Sequence, residues 1–242
     1  MNTSLNRERI SIAIAAMGGQ GGGVLGDWLI SLAEANGYYA QSTSVPGVAQ
    51  RTGATIYYLE LFPEKNPGNM PVLALVPVPG DVDIVIAAEL VEAGRAVQRG
   101  IVTPDRTTLI ASNHRAYAFS EKSAMSDGRI DSEALQQGLG DTAKTLVCFD
   151  MQALAEEHGT VISATLFGAL AGSGALPFSA EQFADAIRGG GKAIDANLAA
   201  FEASYQRACV PQSADETPAS PCLLYTSPSP RDWIWHLVCR LL

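Results

Sequence analysis

Five glycines crowd into six positions after a short apolar run: Gly18, Gly19, Gly21, Gly22 and Gly23, in the stretch ISIAIAAMGGQGGGVLG from Ile10 to Gly26. Glycine takes positive φ at little cost and lets a ligand or another backbone approach closely. The run before it, Ile10 to Ala16, is rich in β-branched and small side chains and reads as a buried strand. After it, Val24, Leu25, Trp28, Leu29, Leu32 and Ala33 recur at helical spacing. Strand, glycine turn and helix start together make an anion site, because unpaired N–H groups and the helix dipole face the turn. Gly18, Gly19, Gln20, Gly21 and Gly22 are therefore candidate binding residues.

The same stretch spells G-x-G-x-x-G from Gly21 to Gly26, a pattern of dinucleotide folds. Such folds hold the ribose with an acidic residue about 20 positions further on. Here Thr43 and Ser44 stand in that place, which argues against a nicotinamide cofactor.

Other groups with useful chemistry follow apolar segments that read as strands. They are Gln50 and Arg51 in the loop Ser44 to Gly53, Glu89 after VDIVIAA, Asn113, His114 and Arg115 after Thr107 to Ser112, and Asp150 after Thr145 to Phe149. Strands alternate with helical patterns at Glu89 to Arg99, near Ser132 to Gly138 and at Met151 to His158. The expected fold is therefore a three-layer α/β structure, with a mainly parallel, doubly wound sheet and helices on both faces. In such sheets ligands collect at the carboxyl ends of the strands, so these residues should share one edge. Each also has an ordinary structural role open to it, as an ion pair, a loop histidine or a helix cap.

Tyr38 to Thr43 reads as a second strand and Thr55 to Phe62 as a third. Residues 63 to 80 hold five prolines and two glycines and read as a long surface connection. Gly159 to Ala180 lacks charge, but its glycines, proline and hydroxyl residues suit a buried helix and turn rather than a membrane span. Ser179 and Gln182 have the spacing of a capping box. Ile194, Leu198, Phe201 and Tyr205 place one apolar face on a final helix, against the sheet or a partner subunit.

A hydrophobic fraction of 47% is ample for a core, and a formal charge of −9 argues against general affinity for nucleic acid. Cys148, Cys209, Cys222 and Cys239 show no metal-site spacing, and a reducing, cytoplasmic setting is the expectation. Arg7, Glu8 and Arg9 before the first strand do not make a signal-peptide start. Residues 210 to 221 form a linker rich in Pro, Ser and acids, and Cys222 to Leu242 reads as foreign to the domain, like translated adaptor sequence. Deleting that tail is expected to leave folding intact.

Three stretches together carry a family resemblance. Met17 to Gly21 (MGGQG) resembles a Gly-x-Gly-Gly-Gln-Gly turn, with Ala16 at its first glycine. Pro46 to Gly53 (PGVAQRTG) resembles a Gly-x-x-Gln-Arg-Gly-Gly loop, keeping Gly47, Gln50, Arg51 and Gly53 with Thr52 in place of a glycine. Phe167 to Gly172 (FGALAG) and Asn197 to Phe201 (NLAAF) resemble the helical close. The pattern, over about Arg9 to Ala208, is similar to the gamma domain of 2-oxoacid:acceptor oxidoreductases, in particular the beta-subunit type of indolepyruvate ferredoxin oxidoreductase. That resemblance implies a domain over 9 to 208, a linker over 209 to 221 and an unrelated tail over 222 to 242.

It also implies oxidative decarboxylation of a 2-oxoacid, here an arylpyruvate, to an acyl-CoA with electrons passed to ferredoxin. The complex would use thiamine diphosphate, magnesium, iron–sulfur clusters and coenzyme A. This chain has neither a Gly-Asp-Gly stretch followed by paired asparagines nor a cysteine cluster. It is thus expected to be a non-catalytic subunit beside a catalytic alpha subunit that carries those groups. The turn at Gly18 to Gly22 would suit the phosphates of coenzyme A or a partner's acidic loop. Gln50 and Arg51, with Gly53 and with Asn113 on the shared edge, would suit a carboxylate or phosphate. A different expectation stands beside it, a free-standing nucleotide- or coenzyme-A-binding protein with residues 63 to 80 as a lid. An exposed apolar face on the last helix would favour the subunit.

Overall fold

The structure, a computed structural model, describes residues 9–45, 54–64, 74–116 and 131–210. The backbone divides into two units, Met1–Pro211 and Gln212–Leu242, and everything below belongs to the first. The linker and the tail lie outside the described residues.

Six strands form one sheet in the order β2-β3-β1-β4-β5-β6. They are β1 (Ile10–Ala16), β2 (Tyr39–Val45), β3 (Thr55–Phe62), β4 (Ile84–Ala87), β5 (Thr108–Ser112) and β6 (Thr145–Phe149). β1, β4, β5 and β6 pair in parallel, whereas β3 is antiparallel to both β1 and β2. The expected mainly parallel sheet is present, with one reversed strand inside it. Because two reversals cancel, β2 runs in the same direction as β1.

Seven helices are found among the described residues: α1 (Gly22–Ala35), α2 (Leu90–Gln98), α3 (Ser132–Thr142), α4 (Met151–Glu157), α5 (Ile162–Ser173), α6 (Ala180–Gly189) and α7 (Ile194–Cys209). They cover the sheet unequally. Ile12, Ile14, Leu59, Leu61, Ile84 and Ile86 point to a face packed by α1, α4, α5, α6 and α7. Ala13, Val85, Ala87, Leu109 and Ala111, one residue out of phase, point to the other face under α2 and α3. This alternation follows from the two-residue period of a strand, and burial on both faces explains why β1 and β4 read as continuous apolar runs.

α5 is the hub of the thicker layer. Every residue from Ile162 to Leu170 is buried, and Phe167 meets the rings of Trp28, Phe183 and Phe201. This is the uncharged stretch read as a buried helix and turn; no described helix is long and apolar enough to cross a membrane. The expected capping box opens α6, with Ser179 and Gln182 bonded reciprocally. Asp150 caps α4 by accepting from Ala153 N at 2.9 Å.

The amino ends of the parallel strands are tied by a charge network with no local signature in the sequence. Arg106 Nε donates to Asp83 Oδ1 at 2.7 Å and Arg106 Nη1 to Asp81 Oδ1 at 2.5 Å. Arg9 pairs with Asp81 and, through Nε at 2.9 Å, with buried Glu60, which also accepts from Tyr58 Oη. The other oxygen of Asp83 accepts from both the N and the Oγ of Ser11, each at 2.8 Å. Burial pushes the Asp83 carboxyl upward, but the hydrogen bonds from Arg106 and Ser11 outweigh it and hold its pKa below the usual value.

A lowered folded-state pKa contributes stability that is present above the unfolded value near 3.8 and lost as pH falls through the folded one. The stability difference between the parent chain and Asp83→Asn should therefore be full at neutral pH and shrink as pH falls below the unfolded value near 3.8. Urea titrations at pH 7, 5 and 3 measure it; a difference that does not shrink with acid would show that Asp83 contributes through packing alone.

Candidate functional site

The carboxyl ends of β1, β2, β4, β5 and β6 lie along one edge of the sheet, together with the start of β3. The chain leaves β1 toward β2 and β3 on one side, then crosses to β4 on the other. β1 is therefore where the strand order reverses, the position at which open α/β sheets form their ligand crevice.

There the glycine turn is closed by its own residues. Gln20 N donates to Met17 O at 3.1 Å, and Met17 N donates to Gln20 Oε1 at 2.7 Å. The Gln20 side-chain oxygen is thus occupied in holding the turn. Gly19 and Gly21 stand at φ 88° and 71°, the left-handed region that favours glycine. Gly22 lets α1 start against β3, since a Cβ there would lie 2.6 Å from the Tyr57 ring. Gly18 and Gly19 are exposed, and a Cβ on either would meet nothing within 4 Å. The tip of the turn is open, while its base is tightly packed.

α1 begins without a side-chain cap and without an acidic residue in its first turn. Its opening N–H groups keep their partial positive charge. Exposed valines stand on this edge: Val24 in the first turn of α1 at 47% accessibility, Val161 beside Gly21 at 46%, and, beyond β3, Val45 closing β2 at 37%.

The remaining candidates divide. β2 brings its carboxyl end to the same edge, so the loop carrying Gln50, Arg51 and Gly53 springs from there and returns into β3. Those three residues themselves lie outside the described ones. Asn113 also stands on the edge, beyond β4, its N–H donating to Phe149 O at 3.1 Å. His114 is held through its backbone, its carbonyl accepting from Leu90 N, and Arg115 Nη1 donates to Ser132 Oγ at 2.9 Å.

Glu89 is 2% exposed and caps α2, accepting from Glu92 N at 3.1 Å and from Ala116 N at 3.4 Å. Burial raises its pKa, as does neighbouring Glu92. Its contacts tie the end of β4 to the chain after β5. Among the described residues no three His, Cys, Asp or Glu side chains gather as a metal ion would require.

Two residues of this edge escaped the sequence reading. Ser112, fully buried, accepts from Met151 N at 3.2 Å and from His114 N at 3.4 Å, and so holds the ends of β5 and β6 together. Ser163, in the first turn of α5, lies against Gly21. A hydroxyl closing an otherwise apolar strand marks Ser112 in retrospect; nothing local marks Ser163.

Fold and site define a doubly wound α/β protein with an open, anion-competent glycine turn at the switch point of its sheet. Residues 11–207 match the model of the pyruvate ferredoxin/flavodoxin oxidoreductase family, and the chain belongs to that family.

Solved structures share the fold. A 2-oxoglutarate:ferredoxin oxidoreductase from Magnetococcus marinus, solved with 2-oxoglutarate, coenzyme A and succinyl-CoA bound, is similar at a TM-score of 0.56 and 16% identity over 86% of this chain. The match spans 32% of that longer protein. A pyruvate oxidoreductase subunit from Thermotoga maritima is similar at 0.54 and 18% identity, covering 82% of this chain and 96% of its own. The gamma subunit of a keto/oxoacid ferredoxin oxidoreductase from Geobacter sulfurreducens gives 0.54 and 15%, over 83% and 98%. A comparison with curated protein sequences returns no match.

The sequence leaves open whether the last helix meets the sheet or a partner subunit, and an exposed apolar face is what would favour the subunit. The apolar face of α7 turns inward, with Asn197, Ala200, Phe201 and Ser204 buried and Ile194, Leu198 and Tyr205 half-buried. It packs on α5 and offers no exposed apolar face to a partner. α5 needed covering on the side away from the sheet, and α7 covers it.

Proposed function

We propose that the chain is a non-catalytic subunit of a 2-oxoacid:ferredoxin oxidoreductase, and that its substrate branch is indolepyruvate or another arylpyruvate. In this reading a catalytic alpha subunit holds thiamine diphosphate with magnesium and the iron–sulfur clusters, reduces ferredoxin in the cytoplasm, and releases an acyl-CoA. The observation that carries it is the open glycine turn flanked by exposed Val24 and Val161. Exposed apolar side chains grouped around an uncapped helix start suit a surface that closes over something. Family membership and the gamma-subunit likenesses support the same reading.

The chain's own residues supply an electropositive helix start and an unobstructed backbone at Gly18 and Gly19, which together exclude water and orient an anionic group when a partner closes on them. Gln50, Arg51, Gly53 and Asn113 are proposed to complete that contact. The domain is proposed to span 9 to 208, with the linker to 221 and a dispensable tail beyond it.

Co-expression of residues 1 to 221 with a thiamine diphosphate and iron–sulfur subunit tests the reading, by following indolepyruvate- and CoA-dependent reduction of a viologen dye. Activity that needs both chains is expected. Chains that stay apart would overturn it, and coenzyme A binding by this chain alone would then favour a free-standing carrier. Gly18→Ala sharpens the test. Its methyl group meets open space, so the variant should melt like the parent, and any loss of activity reports contact across the turn.

A further inference from the structure

The two edges of the sheet are finished differently. β6, the last strand on one side, is buried from Val147 to Phe149. β2, the last strand on the other, has Gln41, Ser42, Ser44 and Val45 exposed, and among the described residues none pairs with its outer side. Successive side chains of a strand point to opposite faces, so exposure at both Gln41 and Ser42 leaves neither face covered there. An edge strand offers its N–H and C=O groups to any other strand, and native proteins blunt such edges with charge, proline, a bulge or a very short strand. β2 has none of these devices. YAQSTSV runs for seven residues without a charged residue or a proline, and it pairs with β3 in unbroken register.

Exposed apolar chain lies next to it. Thr43 Oγ1 donates to Leu75 O at 2.8 Å. Thr43 stands opposite Tyr58, whose side chain belongs to the face under α2 and α3, so the Leu75 carbonyl lies over that face rather than beyond the edge. Leu75 is 75% exposed and Val76 50%. With Val45, three of the seven exposed large apolar side chains among the described residues border this one strand. Residues 74 to 79, ALVPVP, carry no charge either.

We infer that β2 is an assembly edge whose occupant is the β2 of a second copy of this chain, paired antiparallel about a two-fold axis at Ser42 to join two six-stranded sheets into one. An axis perpendicular to the sheet sets identical edge strands antiparallel and makes the contact self-complementary. Centred on Ser42, it puts Tyr39 opposite Val45, Ala40 opposite Ser44 and Gln41 opposite Thr43. Aromatic meets β-branched at both ends, small or polar side chains meet between, and no like charges are opposed. The same axis keeps each face on its own side, so the Leu75 and Val76 segments of both copies come together over one face and leave water together. A chain of formal charge −9 repels its own copy over most of its surface. The uncharged border of β2 is where two copies meet without that cost. This pairing goes beyond the subunit reading and does not depend on it.

The test is sedimentation equilibrium of the full chain from low to high micromolar concentration. The average mass is expected to rise from 25.4 kDa toward twice that value. Ser42→Lys sets two ammonium groups against each other at the axis and should weaken association about tenfold or more. The position is exposed, so the variant should melt like the parent. Gln137→Lys, exposed on α3, adds the same charge elsewhere and should leave association unchanged. Ser42→Cys brings two thiols across the axis at a Cα separation of about 4.5–5.5 Å, within disulfide reach. Mild oxidation should then link residue 42 to residue 42, as read by mass spectrometry of the cross-linked peptide.

A mass of 25.4 kDa at every concentration overturns the inference, and so does association that Ser42→Lys leaves unchanged or that yields no link between the two copies of residue 42. A monomer whose assembly with a catalytic subunit is lost in Ser42→Lys gives the edge to that other chain and also overturns it. An intact dimer that binds no catalytic subunit counts against the subunit reading alone.

Discussion

Gly168→Ala is expected to lower the melting temperature by about 4–12 °C, although alanine is the better helix former. α5 and α7 touch backbone to backbone at this residue. A Cβ on Gly168 would sit 2.3 Å from the carbonyl oxygen of Phe201 and 3.0 Å from its carbonyl carbon. A carbonyl inside a helix cannot swing aside as a side-chain tip can, so the two helices must separate. Nearby, Ser204 Oγ donates to Thr165 O, a buried bond that such a movement stretches. Overpacking costs about 1–3 kcal/mol and occasionally more, and a clash with fixed backbone on both sides puts this one at about 3–4 kcal/mol. The gain in helix propensity, about 1 kcal/mol, offsets it only in part. With a net loss of roughly 2–3 kcal/mol and about 2–4 °C per kcal/mol for a domain of this size, the stated shift follows. Gly138→Ala, in an exposed part of α3 where a Cβ meets nothing within 4 Å, should instead raise stability by roughly 0.5–1 kcal/mol. Equal effects from both would show that α5 and α7 are less closely joined than the structure has them.

Gly21→Val should reduce the reconstituted dye-reduction activity about a hundredfold, while circular dichroism still shows a folded domain. Valine at φ 71° is a backbone outlier, and its side chain would collide with Ser163 and Val161. The start of α1 and the turn before it must then shift. A displacement near 1 Å at a positioning element is enough for a loss on that scale. The core beneath, built by Ile12, Ile14, Leu25 and Leu29, does not depend on this contact, so the fold should survive with lowered stability. Full activity in this variant would remove the glycine turn from any functional role.

What could be read from the sequence was what is local. β3 and β6 lie where their apolar and β-branched runs place them, and the caps Asp150 and Ser179 are visible as single residues before helical patterns. Orientation was not legible. A strand's alternation is the same whichever way it runs, and the eight residues from 46 to 53 are too long a link to mark β2 and β3 as an antiparallel pair. The inward turn of α7 escaped for a related reason, because an apolar helix face does not say which neighbour receives it.

At the site, glycine density announced the turn and the resemblance gave it a context. The division of labour within the turn depends on distant partners, however. Gly22 answers to Tyr57, Gly21 to Ser163, and only Gly18 and Gly19 remain open. The Arg9, Asp81, Asp83 and Arg106 network joins residues far apart in the chain, and no spacing rule reaches that far.

The close seating of α7 on α5 also sets an order of events during synthesis. α5 carries no charge and is buried at every residue from Ile162 to Leu170, and α7, the last described helix, emerges from the ribosome after every other element of the layer. Until it arrives, a nascent chain exposes one side of α5 to solvent, where chaperones bind and aggregation begins. The domain thus carries its most adhesive surface uncovered for the final stage of translation. A message broken before Ile194 would yield a sticky fragment rather than a smaller version of the protein.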